Sequence, residues 1–271
     1  MSEIFSSVVL GIVQGATEFI PISSSGHLLL FHNVFGFRVE QDLFFDVALH
    51  VGTLLALLVY FRSDVYNLLR AWFTTLFTPR RFQDPQSRLA WFILLGTIPA
   101  ALVGYFFEDI IDLYFRSSWV VVLMLILIGI CFLLFDRDAK KMIALDVLTP
   151  KSAFFIGVAQ ALALIPGTSR SGITIIAARV AGLDRKAAAR FSFLLSLPIV
   201  AGAGLKKAFD SDILSLQSGQ FLALVVGVCV SAAVGLLAIR FLMKFLEKYS
   251  LRVFAYYRLA LAAFIIIILL V

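Results

Sequence analysis

Cysteine is nearly absent. The two present, Cys131 and Cys229, lie inside apolar runs, and neither has a second Cys or a His at metal-ligand spacing, so they read as packing residues and say nothing about redox compartment. A basic n-region is also missing: the chain opens Met-Ser-Glu, and its first apolar stretch meets a polar insert with no small-residue cleavage pattern, so no signal peptide is expected. Polar residues are scarce too. With 61% hydrophobic residues and 27 Phe in 271 positions, the chain exceeds the apolar share of about half that soluble domains show. The mean hydropathy of +1.00 agrees, and the chain reads as an all-α polytopic membrane protein. A net charge of +6 would suggest nucleic acid in a soluble chain, but here Lys and Arg cluster between apolar runs, where they orient the protein, and no nucleic-acid partner is implied.

Six apolar runs, each about 17 to 20 residues, can cross a hydrocarbon core of roughly 30 Å as helices. They are 43–61, 89–107, 119–135, 187–205, 221–239 and 253–271. Residues 4–35 and 152–182 differ, because each holds two shorter apolar pieces around a Pro/Ser/Gly break. Both are expected to be re-entrant helical hairpins, since broken backbone at membrane depth needs protein or a watery cavity to satisfy its free N–H and C=O groups.

The two breaks are copies. At a constant offset of 146 residues Gly11 matches Gly157, Gln14 Gln160, Ser23 Ser169, Ser25 Ser171 and Gly26 Gly172, and the match continues through Val34/Val180, Gly36/Gly182, Phe45/Phe191 and Leu49/Leu195. Past a change in loop length the offset becomes 131, where Gly96, Ala101, Val103 and Gly104 meet Gly227, Ala232, Val234 and Gly235. The expected organisation is one membrane domain over 1–271, with repeat 1 at about 1–135, a connecting loop at 136–151 and repeat 2 at about 152–271. Each copy is a hairpin plus three spans. An odd number of crossings turns the second copy upside down, which predicts an inverted repeat with its site near the midplane at the repeat interface.

Loop charges suggest orientation. The 62–88 loop carries Arg62, Arg70, Arg80, Arg81 and Arg88 against Asp64 and Asp84, and the 240–252 loop carries Arg240, Lys244, Lys248 and Arg252 against Glu247, so both are expected on the cytoplasmic side. The 108–116 loop, with Glu108, Asp109, Asp112 and Arg116, then falls outside, as do Lys206 and Lys207, which fit the rule poorly.

Chemistry concentrates in the breaks. A carboxylate, three consecutive hydroxyls and an imidazole are expensive in hydrocarbon and point to function. Gln14 and Glu18, four apart, share a helix face that Pro21 ends. Ser23, Ser24 and Ser25 are N-cap candidates for the next helix, whose free N–H groups suit an anion, and His27 lies within reach of Ser24 as a general base. In the second break Pro166-Gly167 is a turn, Ser169 and Ser171 are cap candidates, and Arg170 offers a planar fork for phosphate oxygens. The copies have diverged here: Ser24 aligns with Arg170 and His27 with Ile173. Blander roles compete, with serines and glycines that only cap and kink, Glu18 paired structurally with Arg170, His27 as a satisfied core histidine and Gln160 bridging the hairpins. Asp46 and His50 read equally as an access-route lining or a buried polar pair, and Arg190 and Arg258 as snorkelling side chains. Charge and spacing alone yield an anion or phosphate site, without deciding between transport and hydrolysis.

At these residues the chain resembles the undecaprenyl-diphosphate phosphatase family, the bacitracin-resistance integral membrane phosphatases. The first family signature is present as Gln14, Glu18, Pro21, Ser23, Ser24, Gly26 and His27; the second as Pro166, Gly167, Ser169, Arg170, Ser171, Gly172 and Thr174. The resemblance covers essentially the whole chain. It implies hydrolysis of a long-chain prenyl diphosphate lipid, recycling of that carrier for cell-wall synthesis in the bacterial inner membrane, and a divalent cation, Mg or Ca. Many members carry Glu at the position of Gln14, which weakens a two-carboxylate metal site here. The expected catalytic set is Ser24 as nucleophile, His27 as its base, Glu18 with Gln14 organising metal and water, and Arg170 as diphosphate clamp. Ser23, Ser25, Gly26, Gly167, Ser169, Ser171, Gly172 and Thr174 are the expected substrate-binding residues. The oligomeric state is open, a homodimer included. The rival is a secondary transporter or lipid flippase, which inverted repeats with broken helices equally suggest. A test follows from the clamp: Arg170→Lys keeps the charge but not the fork, so phosphate release from a prenyl diphosphate should fall by about tenfold or more.

Overall fold

The computed structural model describes residues 3–37, 42–78, 82–136, 144–210 and 218–270. Among them all regular structure is helical. The order is α1 (Glu3–Phe19), α2 (Ser24–Asn33), α3 (Asp42–Tyr60), α4 (Arg62–Thr75), α5 (Pro85–Phe115), α6 (Ser118–Phe135), a 3-10 turn (Leu145–Val147), α7 (Pro150–Leu162), α8 (Arg170–Val180), α9 (Arg185–Asp210), α10 (Ser218–Phe245) and α11 (Arg252–Leu270). Caps written in the sequence set several starts. Asp84 accepts from the Ser87 N–H at 2.7 Å ahead of Pro85, and Thr149 accepts from the Ser152 N–H at 3.2 Å ahead of Pro150.

Five helices, α5, α6, α9, α10 and α11, are long and apolar enough to cross a membrane. Helices α3 and α4, which bend by 82° at Phe61, pass the same test when taken together. A helix therefore stands at each of the six expected runs, five of them candidate spans alone and the first as part of a bent pair, with corrections at their ends. Residues 62–75, expected as loop, form α4, and the acidic 108–115 segment is the last turns of α5. On the α5 extension Glu108 pairs with Lys206 of α9, which also runs past its expected end. Arg80 and Arg81 fall outside the described residues, as do 137–143 of the connecting loop. Charge pairs also place two loops together: Lys186 bonds Glu247 at 2.7 Å and Arg190, one turn later on α9, pairs with Asp64. The 62–88 and 240–252 segments thus lie at the same end of the bundle, and Arg190 is ion-paired rather than snorkelling.

Each expected break separates a pair of packed helices, α1 with α2 and α7 with α8, and α1 is 17 residues rather than a short piece. Packing crosses between the copies. Helix α1 lies on α10 as α7 lies on α5, α3 packs on α9, and α6 packs on α11. The same small-residue contact occurs twice, Gly11 against the Gly227 carbonyl and Gly157 against Gly96, and these four are the pairs that the two sequence offsets equate. A Cβ on Gly11 would stand 2.7 Å from the Gly227 oxygen, and one on Gly157 would meet the Gly96 backbone. Association in lipid is driven by close packing, which small residues permit. Gly157→Ala or Gly11→Ala should therefore lower the melting temperature in detergent, at a cost of about 1 to 3 kcal/mol. Gly202→Ala, where an added Cβ meets nothing within 4 Å, should leave it unchanged or higher.

Candidate active site where the two hairpin breaks meet

The breaks have one local geometry used twice. Ser23 (φ 77°) and Ser169 (φ 71°) are the two non-glycine residues with positive φ among the described residues, and each starts its helix by accepting from a glycine N–H three residues on, Gly26 or Gly172, both at 3.2 Å. The paired hydroxyls repeat as well: Ser23 with Ser25 and Ser169 with Ser171, each at 3.3 Å. A serine in the left-handed region is strained by about 1 to 3 kcal/mol, which the surrounding structure must offset. Gly167 (φ 91°) turns the second break, and a Cβ there would press on the Val121 backbone.

The breaks are joined directly. Ser25 accepts from the Gly167 N–H at 3.3 Å, and Ser171 donates to the Glu18 carbonyl at 3.1 Å. Arg258 then ties them to α6. It is 0% exposed and donates to Pro21 of the first break (3.4 Å), to Gly167 (2.8 Å) and Thr168 (3.1 Å) of the second, and to Met124 (3.1 Å) and Leu125 (3.3 Å). Every one of those partners is a backbone carbonyl. The expectation that Arg258 snorkels is corrected: its guanidinium satisfies acceptors that helix breaks leave open, and such acceptors are invisible in a sequence.

Glu18 is the centre of the site. Its side chain is buried, and its Oε1 receives Arg170 Nη2 at 2.6 Å from the other copy. Its Oε2 receives Ser24 Oγ at 2.6 Å and Gln14 Nε2 at 3.1 Å. Ser24 and Arg170, distant in sequence, thus meet on one carboxylate. Ser24 is half-buried and Ser25 exposed, so the site opens outward on the hydroxyl side. Thr174 stands behind it, donating to the Arg170 carbonyl at 2.7 Å and paired with Ser192 at 2.6 Å, so its hydroxyl supports the clamp helix rather than facing Glu18.

His27 is placed differently from expectation. Its Nδ1 lies 2.7 Å from the Ser23 carbonyl, which only accepts, so Nδ1 carries the proton and Nε2 receives the Tyr257 hydroxyl at 2.7 Å. The two ring planes are nearly parallel, 11° apart, with centroids separated by 5.7 Å. Both nitrogens are committed, and Ser24 finds its acceptor in Glu18. Sequence reasoning missed Tyr257, took its neighbour Arg258 for a snorkelling side chain, and left His50 undecided. His50 Nε2 stands 3.5 Å from Glu18 Oε2.

No group of three or more His, Cys, Asp or Glu side chains able to hold a metal occurs among the described residues. Glu18 offers one carboxylate, and Gln14, whose N–H faces it, keeps a buried Oε1 with no hydrogen-bond partner among the described residues, so a divalent cation has one carboxylate and one amide oxygen to draw on here. Magnesium typically uses one or two carboxylates plus substrate phosphates.

Residues 7–264 match the family described as Bacitracin resistance protein BacA. The chain belongs to that family. It is 47% identical over 273 residues to an undecaprenyl-diphosphatase of Rubrobacter xylanophilus, covering 100% of both chains. It is 43% identical to the Thermomicrobium roseum undecaprenyl-diphosphatase, with 98% of each chain covered. The undecaprenyl-diphosphatase of Trichlorobacter lovleyi is 46% identical over 95% of this chain and 94% of its own. Within this BacA chain the His27–Tyr257 bond has a measurable signature. His27→Gln and Tyr257→Phe should each lower turnover by roughly fivefold, about 1 kcal/mol for a lost hydrogen bond, and the double variant should be no worse than the poorer single one.

Proposed function

We propose that this chain hydrolyses undecaprenyl diphosphate to undecaprenyl phosphate and inorganic phosphate in the bacterial inner membrane, returning the lipid carrier to cell-wall synthesis. The observation that carries it is the Glu18 carboxylate held at 2.6 Å by both a hydroxyl and a guanidinium, Ser24 from one copy and Arg170 from the other. Hydrolysis of a phosphoanhydride requires a nucleophile, a base and a charge clamp, and these are those three groups. A transporter requires only the binding site. The names of the three relatives favour hydrolysis as well.

In this mechanism Ser24 Oγ attacks the terminal phosphorus while Glu18 Oε2 takes the hydroxyl proton. The bond from that phosphorus to the bridging oxygen breaks, and undecaprenyl phosphate leaves. The proton taken by Glu18 leaves with the departing phosphate, which frees the carboxylate; water then attacks the phosphoserine and gives a proton to Glu18, the bond from phosphorus to Ser24 Oγ breaks, that proton passes to Oγ, and phosphate is released. Arg170 stabilises charge on the phosphoryl oxygens; its Nη1, buried and unpartnered among the described residues, is free to add a second bond beside Nη2. The first N–H groups of α2 and α8 add positive ends to the same space. Glu18 replaces His27 as the base, and His27 holds the first break through Ser23. A divalent cation held by Glu18 and Gln14 would supply Lewis-acid stabilisation of the phosphoryl charge when bound.

The same proposal takes the second copy as inverted in the membrane, with the 62–88 and 240–252 segments cytoplasmic. The crossed packing of α1 on α10 and α7 on α5 supports it. The deciding experiment is phosphate release from a long-chain prenyl diphosphate by purified protein in detergent, with and without chelator. Folded protein that releases none would overturn hydrolysis. Ser24→Ala should lose more than about tenfold in kcat, over 1.4 kcal/mol of barrier, with substrate binding largely intact. A smaller loss would make water the nucleophile and Ser24 an orienting group.

A further inference from the structure

Helix α4 is built unlike the spans. Its 14 residues include Arg62, Asp64 and Arg70, and it leaves α3 at 82°. Helix α3 alone has 19 residues, a length of about 28 Å that matches a hydrocarbon core of roughly 30 Å. With α3 upright, α4 runs almost parallel to the membrane plane, at the bundle end where Asp64 pairs with Arg190. A helix lying there needs one apolar side and one polar side. The chain supplies both: Val65, Leu68, Leu69 and Trp72 recur at helical spacing, and Ser63, Asn67 and Thr74 are exposed on the opposite side.

Under the apolar side lies a groove of about 350 Å³ between α3, α4, α5 and α9. Its lining residues are all apolar, Leu54, Leu58, Leu69, Trp72, Leu94 and Leu197 among them. Leu58, Leu69 and Leu94 are exposed, so the groove opens sideways towards lipid. Cations stand at its interfacial end. Arg62, one turn after Leu58 across the bend, is exposed and donates to the Val59 carbonyl at 3.4 Å; Arg70, next to Leu69, is exposed as well. Asp64 is committed to Arg190 and does not compensate them. Tyr66 and Phe73, 63% and 65% exposed, flank the same side as an interfacial helix requires.

We propose that α4 and the groove beneath it form a binding site for an anionic phospholipid, with one acyl chain in the groove and the headgroup phosphate held by Arg62 and Arg70. An apolar slot that ends in two cations at the interface complements that ligand in both parts. The prenyl chain of the substrate is a different occupant. From His50, beside Glu18, to Arg62 is about 18 Å of helix, so a chain whose diphosphate is at Glu18 would reach the groove from its inner end and leave the arginines unused. The site is independent of hydrolysis, because none of its residues belongs to the set around Glu18.

The test uses Trp72 as reporter in full-length protein in detergent, with Trp91→Phe and Trp119→Phe leaving it the single tryptophan. Phosphatidylglycerol with brominated acyl chains should quench Trp72 at lower concentration than phosphatidylcholine with the same chains. Arg62→Gln with Arg70→Gln should weaken the phosphatidylglycerol effect by about tenfold or more, at roughly fivefold per interfacial cation, and leave phosphatidylcholine unchanged. Ala201→Phe, which fills the groove, should weaken both. If the single-tryptophan protein does not fold, native mass spectrometry of wild type and the arginine variants, titrated with the same two lipids, should show the same preference. Equal response to the two headgroups, or a preference that survives removal of both arginines, would overturn the site. Quenching reversed by a long-chain prenyl phosphate and indifferent to the arginines would give the groove to the substrate chain. Dimeric protein with Trp72 shielded from both lipids would give it to a second copy.

Discussion

The structure depends on one buried guanidinium. Two helix breaks inside a hydrophobic chain leave carbonyls without partners, and each such group costs several kcal/mol away from water. Arg258 answers Pro21, Gly167 and Thr168 together and adds two carbonyls of α6. No carboxylate among the described residues is paired with it. Its charge is instead spread over five carbonyl dipoles, which offsets desolvation without neutralising the site. That distinction matters for an anionic substrate, because a local carboxylate partner would repel it.

Glu18 has a different task. It keeps Arg170 and Ser24 at hydrogen-bond distance before substrate is present, so both copies are locked to one atom group. A diphosphate competing for Arg170 exchanges one anion for another, at lower cost than orienting a free guanidinium. The Gly11–Gly227 and Gly157–Gly96 contacts set the distance at which this happens, since they fix how closely the hairpins approach the spans of the opposite copy.

Much of this was legible in the chain. Hydropathy located the spans, the constant offsets exposed the copies, and Ser23 and Ser169 were visible as cap candidates because hydroxyls before glycine-containing helix starts are a local pattern. Glu18 and Arg170 stood out as charges with no solvent. Other features had no sequence pattern to show them. Arg258 is served by backbone carbonyls, which every residue has. His27 and Ser24 sit one turn apart, but spacing does not tell which way a ring turns, and the Ser23 carbonyl accepts from both the backbone N–H and the ring Nδ1 of His27. Helix α4 was hidden because arginines in a polar stretch resemble a loop, and only the 82° bend at Phe61 shows that helix continues there.

The matching breaks also show what a fused chain gains over two identical ones. Perfect symmetry would set Glu18 against a second carboxylate, or Arg170 against a second guanidinium, and like charges at that range disfavour each other's ionisation. In the second copy Leu164 occupies the position of Glu18, and Arg170 that of Ser24. Covalent linkage lets each break vary alone, so an acid and a base face each other across a near-symmetric scaffold. The price of that asymmetry is multiplicity: a fold with two equivalent breaks supports a single catalytic centre.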